Sequence, residues 1–143
     1  SIRIEIWQAS WDIGSQQWLT GVGLGNFQAY FSQYTKGRIN YPEYITPHAV
    51  TPHNMFLNLW LQTGILGVIS VLWLLVVFFR VGLSPTLKVG EISLRAAILA
   101  SMVAILAHGL VESTLWKNDL MLYFWLLIAL VSVISTKEYA QKR

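Results

Sequence analysis

The sequence predicts an all-α fold: a multi-pass transmembrane helix bundle of three spans, with short amphipathic helices outside the membrane. Three observations predict it. Only 12% of the 143 residues are charged, while 55% are hydrophobic, and an ordinary soluble domain carries about 25% charged residues. Residues 54–79 contain no Asp, Glu, Lys, Arg or His. As a helix this stretch reaches about 39 Å, more than the ~30 Å hydrocarbon core. Two further stretches, 92–111 and 120–136, are nearly or wholly free of charge.

Spans are therefore expected at about 56–79, 92–111 and 120–136. Residues 1–53 form an external segment and 54–143 a membrane domain. A soluble protein with three buried helices is the competing reading, but a soluble amphipathic helix needs a polar face. Residues 68–79 offer only Ser70. Arg95 and His108 lie near the ends of the second span, where a long side chain can snorkel to water. The scarcity of charge argues against a disordered or nucleic-acid-binding chain. With no cysteine, disulfides, thiolate catalysis and Cys-ligated zinc are excluded. The chain starts at Ser1 without Met and is expected to be a piece of a longer protein.

Orientation follows from Lys and Arg. The 80–95 connector holds Arg80, Lys88 and Arg95, and the tail holds Lys137, Lys142 and Arg143. The positive-inside rule assigns both to the cytoplasm. The N-terminal segment and the 112–119 connector are then external, and three spans alternate consistently. The expected location is the cytoplasmic (inner) membrane, with a periplasmic N-terminal segment and a cytoplasmic C-terminus.

The external segment is read as two short helices and a loop. Ile2, Ile6, Trp7 and Ser10/Trp11 recur at helical spacing, so 2–13 is an amphipathic helix. Trp7, Trp11 and Trp18 suit a surface at the lipid headgroups. Gly21, Gly23 and Gly25 break the chain. Residues 26–34 form a second helix with Asn26 as candidate N-cap. Residues 35–52 are a loop marked by Gly37, Pro42, Pro47 and Pro52. Gly21-Val-Gly-Leu-Gly25 is a poor phosphate loop, because no strand precedes it and no Gly-Lys-Ser/Thr follows. A turn packed closely between helices is the better reading.

The most informative stretch is TPHNMFLNLWLQTGILG. Its His53-Asn54, nine residues, then Gly64-x-x-Gly67 resembles a signature of the O-antigen ligase and O-antigen polymerase-like membrane glycosyltransferases. Arg3-x-x-x-Trp7 and Gly21-Val-Gly-Leu-Gly-Asn-Phe27 resemble the same family's upstream elements, in the same order, across about residues 1–80. The resemblance implies a multi-pass α-helical enzyme of which this chain is the C-terminal part. It implies a donor glycan on undecaprenyl diphosphate. The acceptor would be lipid A core, another glycan or a protein hydroxyl. No cofactor, nucleotide sugar or required metal is implied. Ligase and polymerase share these motifs.

Under that resemblance His53 is the candidate general base for the acceptor hydroxyl, since histidine exchanges protons near neutral pH. Arg3 is the candidate holder of the leaving diphosphate, whose charge a guanidinium matches bidentately. Asn54 is a candidate substrate-binding residue that also orients His53 or caps the following helix. Gly64 and Gly67 give a small-x-x-small face for close helix approach. Each residue also has a plainer reading. His53 can be an interfacial helix-capping His, and Arg3 a surface charge paired with Glu5 or Asp12. Lys36 and Arg38 are solvated loop charges or substrate-binding cations. His48 and His53 lack a third metal ligand at a fitting spacing. His108 and Glu112, four apart, are read as one helical face, lining the site or packing between helices. A non-catalytic membrane subunit or scaffold that binds glycan lipid or partner proteins is the alternative function. A transporter is disfavoured, because no span is read as a Gly/Pro-broken helix pair.

Overall fold

The computed structural model describes residues 2–37, 51–84 and 89–141. Among them lie five α-helices: α1 Ile2–Gln16, α2 Phe27–Thr35, α3 Met55–Gly82, α4 Val89–Gly109 and α5 Asn118–Gln141. A short 3-10 turn, Thr114–Trp116, precedes α5. No strand occurs among the described residues. The chain divides into two compact units. One comprises Ser1–Ser70 with Gly109–Ser113, the other Val71–His108 with Thr114–Arg143.

In the first unit, α1 buries Ile6, Ala9 and Ile13 at helical spacing. These meet Phe27 and Phe31 of α2, Val22 of the intervening loop and Leu61 of α3. Full burial of each of the Ile, Val, Leu and Phe side chains contributes about 1.5–3 kcal/mol, which outweighs the weak helix propensity of this Ile-, Ser- and Gly-containing segment. Asn26 does not cap α2 through its side chain. Its amide donates back to the Val22 carbonyl at 3.0 Å instead, which stiffens the glycine turn.

α3 begins with a side-chain cap: Asn54 Oδ1 accepts from the Leu57 N–H at 3.0 Å. The helix is broken at Gly64, which sits at φ 68°, ψ −169°. A Leu61 carbonyl would normally accept from the Ile65 N–H within the helix. Here it accepts from the Val22 N–H at 2.6 Å, while the Ile65 N–H donates to the Trp18 carbonyl at 3.1 Å. The loop thus takes over both partners of the missing helical bond. This corrects the reading of unbroken spans. It also changes the role expected of Gly64, whose close neighbour is the backbone of Leu19 and Thr20 rather than a second helix. A Cβ at Gly67 would meet the Thr63 side chain of its own helix.

The second unit has a continuous apolar core of Leu75 and Phe78 from α3, Ile98 and Met102 from α4, and Phe124 and Val131 from α5. Arg95 does not snorkel to solvent. It is only 4% exposed, and its Nη1 donates to the Val81 and Ser84 carbonyls at 3.0 and 3.2 Å. Val81 lies in the last turn of α3 and Ser84 two residues beyond its end, a position where a cation complements the helix dipole.

Met55–Gly82, Ile92–Gly109 and Asp119–Thr136 are each long and apolar enough to cross a membrane. Only 17%, 22% and 17% of the respective segments are buried by the protein itself. Water would face Leu66, Ile69, Trp73, Val103, Leu122 and Trp125, all exposed. Apolar patches of that extent mark contact with lipid or protein. The chain is a membrane protein whose described residues form helices and no strand, three of the helices being long and apolar enough to cross a membrane.

Candidate functional site

The site is assembled in the first unit around residues 110–112, three consecutive positions beyond the end of α4. Each engages one side chain from the N-terminal motifs. Asn54 Nδ2 donates to the Leu110 carbonyl at 2.9 Å. Arg3 Nη1 donates to the Val111 carbonyl at 3.3 Å. His53 Nδ1 lies 3.0 Å from Glu112 Oε1. Consecutive Cα atoms are about 3.8 Å apart, so this strand of backbone draws Arg3 and His53 into one neighbourhood.

Local chain chemistry sets the pose of His53. It adopts φ 51°, the left-handed region, which is uncommon outside glycine but several-fold enriched for His, Asn and Asp. Pro52 precedes it and Asn54 follows it as the cap of α3, so the turn is held on both sides. Trp7 Nε1, one helical turn beyond Arg3, donates to the Pro52 carbonyl at 2.7 Å. The face of α1 that carries Arg3 therefore also grips the His53 turn. Asn54 acts twice, capping α3 with its oxygen and tying down residue 110 with its amide nitrogen.

The His53–Glu112 pair has a defined polarity. An ionised carboxylate only accepts, so against it Nδ1 is the donor, and in the neutral ring the lone pair then lies on Nε2. The His53 and Glu112 side chains are 35% and 17% exposed, and His53 Nε2 has no protein partner among the described residues. Glu112 Oε1 also accepts from the Ser113 N–H at 3.1 Å, which fixes the carboxylate. A histidine held by a carboxylate on one nitrogen and open on the other can take a proton from an incoming hydroxyl.

Glu112 is the residue that sequence reasoning assigned elsewhere. α4 ends at Gly109, so Glu112 is not on the same helix as His108 and its carboxylate meets His53. An acidic side chain in a short connector, beside a histidine motif far away in sequence, was the available signal. Arg3 forms no ion pair with Glu5 or Asp12; Asp12 instead accepts from the Tyr34 hydroxyl. Lys36 lies exposed at the C-cap of α2. Arg38 and His48 lie outside the described residues.

The glycines join the loop to the break in α3. Gly21, Gly23, Gly25 and Gly64 all have positive φ. At Gly21 a Cβ would stand 2.5 Å from the Leu61 carbonyl oxygen and 2.7 Å from the Gly64 nitrogen, so the loop and the α3 break fit only because both positions lack side chains.

Residues 1–72 match the model of the O-antigen ligase family. The chain belongs to the O-antigen ligase family. The matched region takes in α1, the glycine turn, α2, His53 and the break in α3. Another member, the O-antigen ligase of Salmonella typhimurium, is 29% identical over 111 residues, covering 78% of this chain and 27% of that protein. This O-antigen ligase family chain thus spans about a quarter of the length of that relative. No solved structure matches it.

Proposed function

We propose that this chain carries the acceptor-activating part of a glycosyltransferase, which moves a glycan from a polyprenyl (undecaprenyl) diphosphate to an acceptor hydroxyl. The observation that carries the reading is the His53–Glu112 pair, with Nε2 open and Arg3 tied to the adjacent residue. Membership of the O-antigen ligase family supports the same reaction class. The acceptor would be a hydroxyl of lipid A core, another glycan or a protein.

In the proposed step, His53 Nε2 takes the acceptor proton as the oxygen attacks the anomeric carbon of the donor sugar. The bond from that carbon to the diphosphate oxygen breaks, with inversion. The leaving polyprenyl diphosphate gains negative charge, and the donors of Arg3 not engaged with Val111 are available to it. Glu112 holds the His53 ring and stabilises the imidazolium, as a carboxylate does beside a catalytic histidine. Asn54 keeps the turn and residue 110 in register, and Lys36 and Arg38 supply additional positive charge for phosphate groups.

The reaction would take place at the outer face of the cytoplasmic membrane. Residues 1–53 and the 112–119 connector are then periplasmic and the C-terminus cytoplasmic, as the distribution of Lys and Arg favours. In the full-length protein, His53→Ala and Arg3→Ala are expected to abolish glycan transfer while membrane insertion stays intact. Normal transfer by either variant would remove that residue from the mechanism.

A further inference from the structure

We infer that the cleft between the C-terminal end of α1 and α2 is a subsite for an uncharged sugar ring, remote from the bond being exchanged. Ile13, Gln16, Gln17, Tyr30, Gln33 and Tyr34 line a cavity of about 280 Å³. That volume sits at the lower edge of the ~300–1,000 Å³ typical of small-molecule sites, so it suits one ring rather than a long oligosaccharide. All six residues belong to the first unit.

The lining matches hydroxyl chemistry. Each glutamine amide offers two donors and a carbonyl acceptor, and each tyrosine hydroxyl can do both. Sugar hydroxyls likewise donate and accept, so such a wall can meet them in several rotamers. The side chains of Gln17, Gln33 and Tyr30 hydrogen-bond to no protein group among the described residues. Two of the fixed points are internal: Gln16 Nε2 donates to the Asp12 carbonyl at 3.1 Å, and the Tyr34 hydroxyl is held by the Asp12 carboxylate. Ile13 is buried and gives an apolar floor, against which the C–H face of a ring can lie. No Lys or Arg lines the cavity. A phosphate would find no charge partner there, whereas a neutral hydroxyl-rich ring loses nothing.

The distance separates this subsite from the reacting centre. Arg3 lies near the start of α1 and Gln16 at its end, about 20 Å apart along the axis at 1.5 Å per residue. A ring in the cleft and a diphosphate at Arg3 therefore belong to different parts of an extended ligand. Binding energy from such a remote contact can position the reacting end. The inference rests on the glycan-transfer reading for the identity of the chain, donor or acceptor, to which the ring belongs.

The test uses the full-length protein in membranes of cells that make its lipid-linked glycan. A photoreactive p-benzoylphenylalanine replaces Gln33, or Gln28 on the same helix as control. After irradiation and denaturing purification, the protein band is stained for carbohydrate. A stained adduct at Gln33 and not at Gln28 is expected. No carbohydrate at Gln33, or equal staining at both positions, would overturn the proposal. Repeating the irradiation in membranes that lack the acceptor distinguishes the source, because a donor glycan is still captured there and an acceptor glycan is not. In a transfer assay, the Gln17→Ala/Gln33→Ala double variant should raise KM for the glycan substrate about tenfold with kcat nearly unchanged. An unaltered KM would count against the subsite. A wild-type protein that transfers no glycan would instead refute the transferase reading, and the photoadduct would remain readable.

Discussion

Replacing Gly64 with alanine tests the joint between the loop and the membrane helix. The residue occupies φ 68°, ψ −169°, a region that is essentially glycine-only and costs another residue about 1–3 kcal/mol. The added Cβ would also overlap the Leu19 carbonyl and stand 2.7 Å from the Thr20 carbonyl carbon. Backing away separates Val22 from Leu61 and Ile65 from Trp18, two hydrogen bonds worth about 0.5–1.5 kcal/mol each. Together these give a loss of about 2–6 kcal/mol for the first unit. Gly25→Ala separates strain from crowding. Gly25 has φ 77°, yet a Cβ there meets nothing within 4 Å, so only the left-handed cost of about 1–2 kcal/mol applies. The assay is thermal unfolding of the full-length protein in detergent, followed by tryptophan fluorescence and by protease cleavage in the 17–26 loop. Gly64→Ala should melt well below Gly25→Ala and be cut fastest in that loop. Equal melting of the two variants would refute the idea that the loop backbone fills the break in α3.

Three more outcomes follow from single contacts. Glu112→Gln should keep the His53 contact but lose the ionised acceptor, lowering kcat for glycan transfer about 10–100-fold with little change in KM; steady-state kinetics of the purified enzyme read this. Trp7→Phe removes the donor to the buried Pro52 carbonyl and should destabilise the His53 turn by about 1–3 kcal/mol, measured by the melting shift and a parallel loss of transfer. Arg95→Met leaves the Val81 and Ser84 carbonyls without their cationic donor. It should lower the denaturation midpoint of the second unit by an amount equivalent to about 1.5–3 kcal/mol, while Arg95→Lys should recover part of it.

Much of the architecture was legible because membrane spans depend on length and composition. The charge-free 54–79 stretch reads as a span without knowledge of its neighbours, and Asn54 as its cap follows from side-chain chemistry alone. Tertiary contacts were less accessible. Gly64 lies inside a run whose local pattern is continuous helix, and it breaks only because the 18–22 backbone supplies substitute hydrogen bonds. Asn26 has the right residue type for a cap, but its amide nitrogen donates to the Val22 carbonyl while its oxygen caps no helix N–H. His108 and Glu112 have helical spacing, yet α4 stops at Gly109. The partner of His53 lies 59 residues away, beyond the reach of any local pattern. His53 and Arg3 stood out through the family resemblance rather than through any local pattern. Their convergence on residues 111 and 112 is a property of the folded unit.

The central claim is that His53 removes the acceptor proton, and its most direct test is single-turnover glycan transfer by full-length His53→Ala with added imidazole. The proposed mechanism predicts a rate about 10²–10⁴-fold below wild type without imidazole, partly restored in proportion to the imidazole added. Transfer at the wild-type rate without imidazole would contradict it.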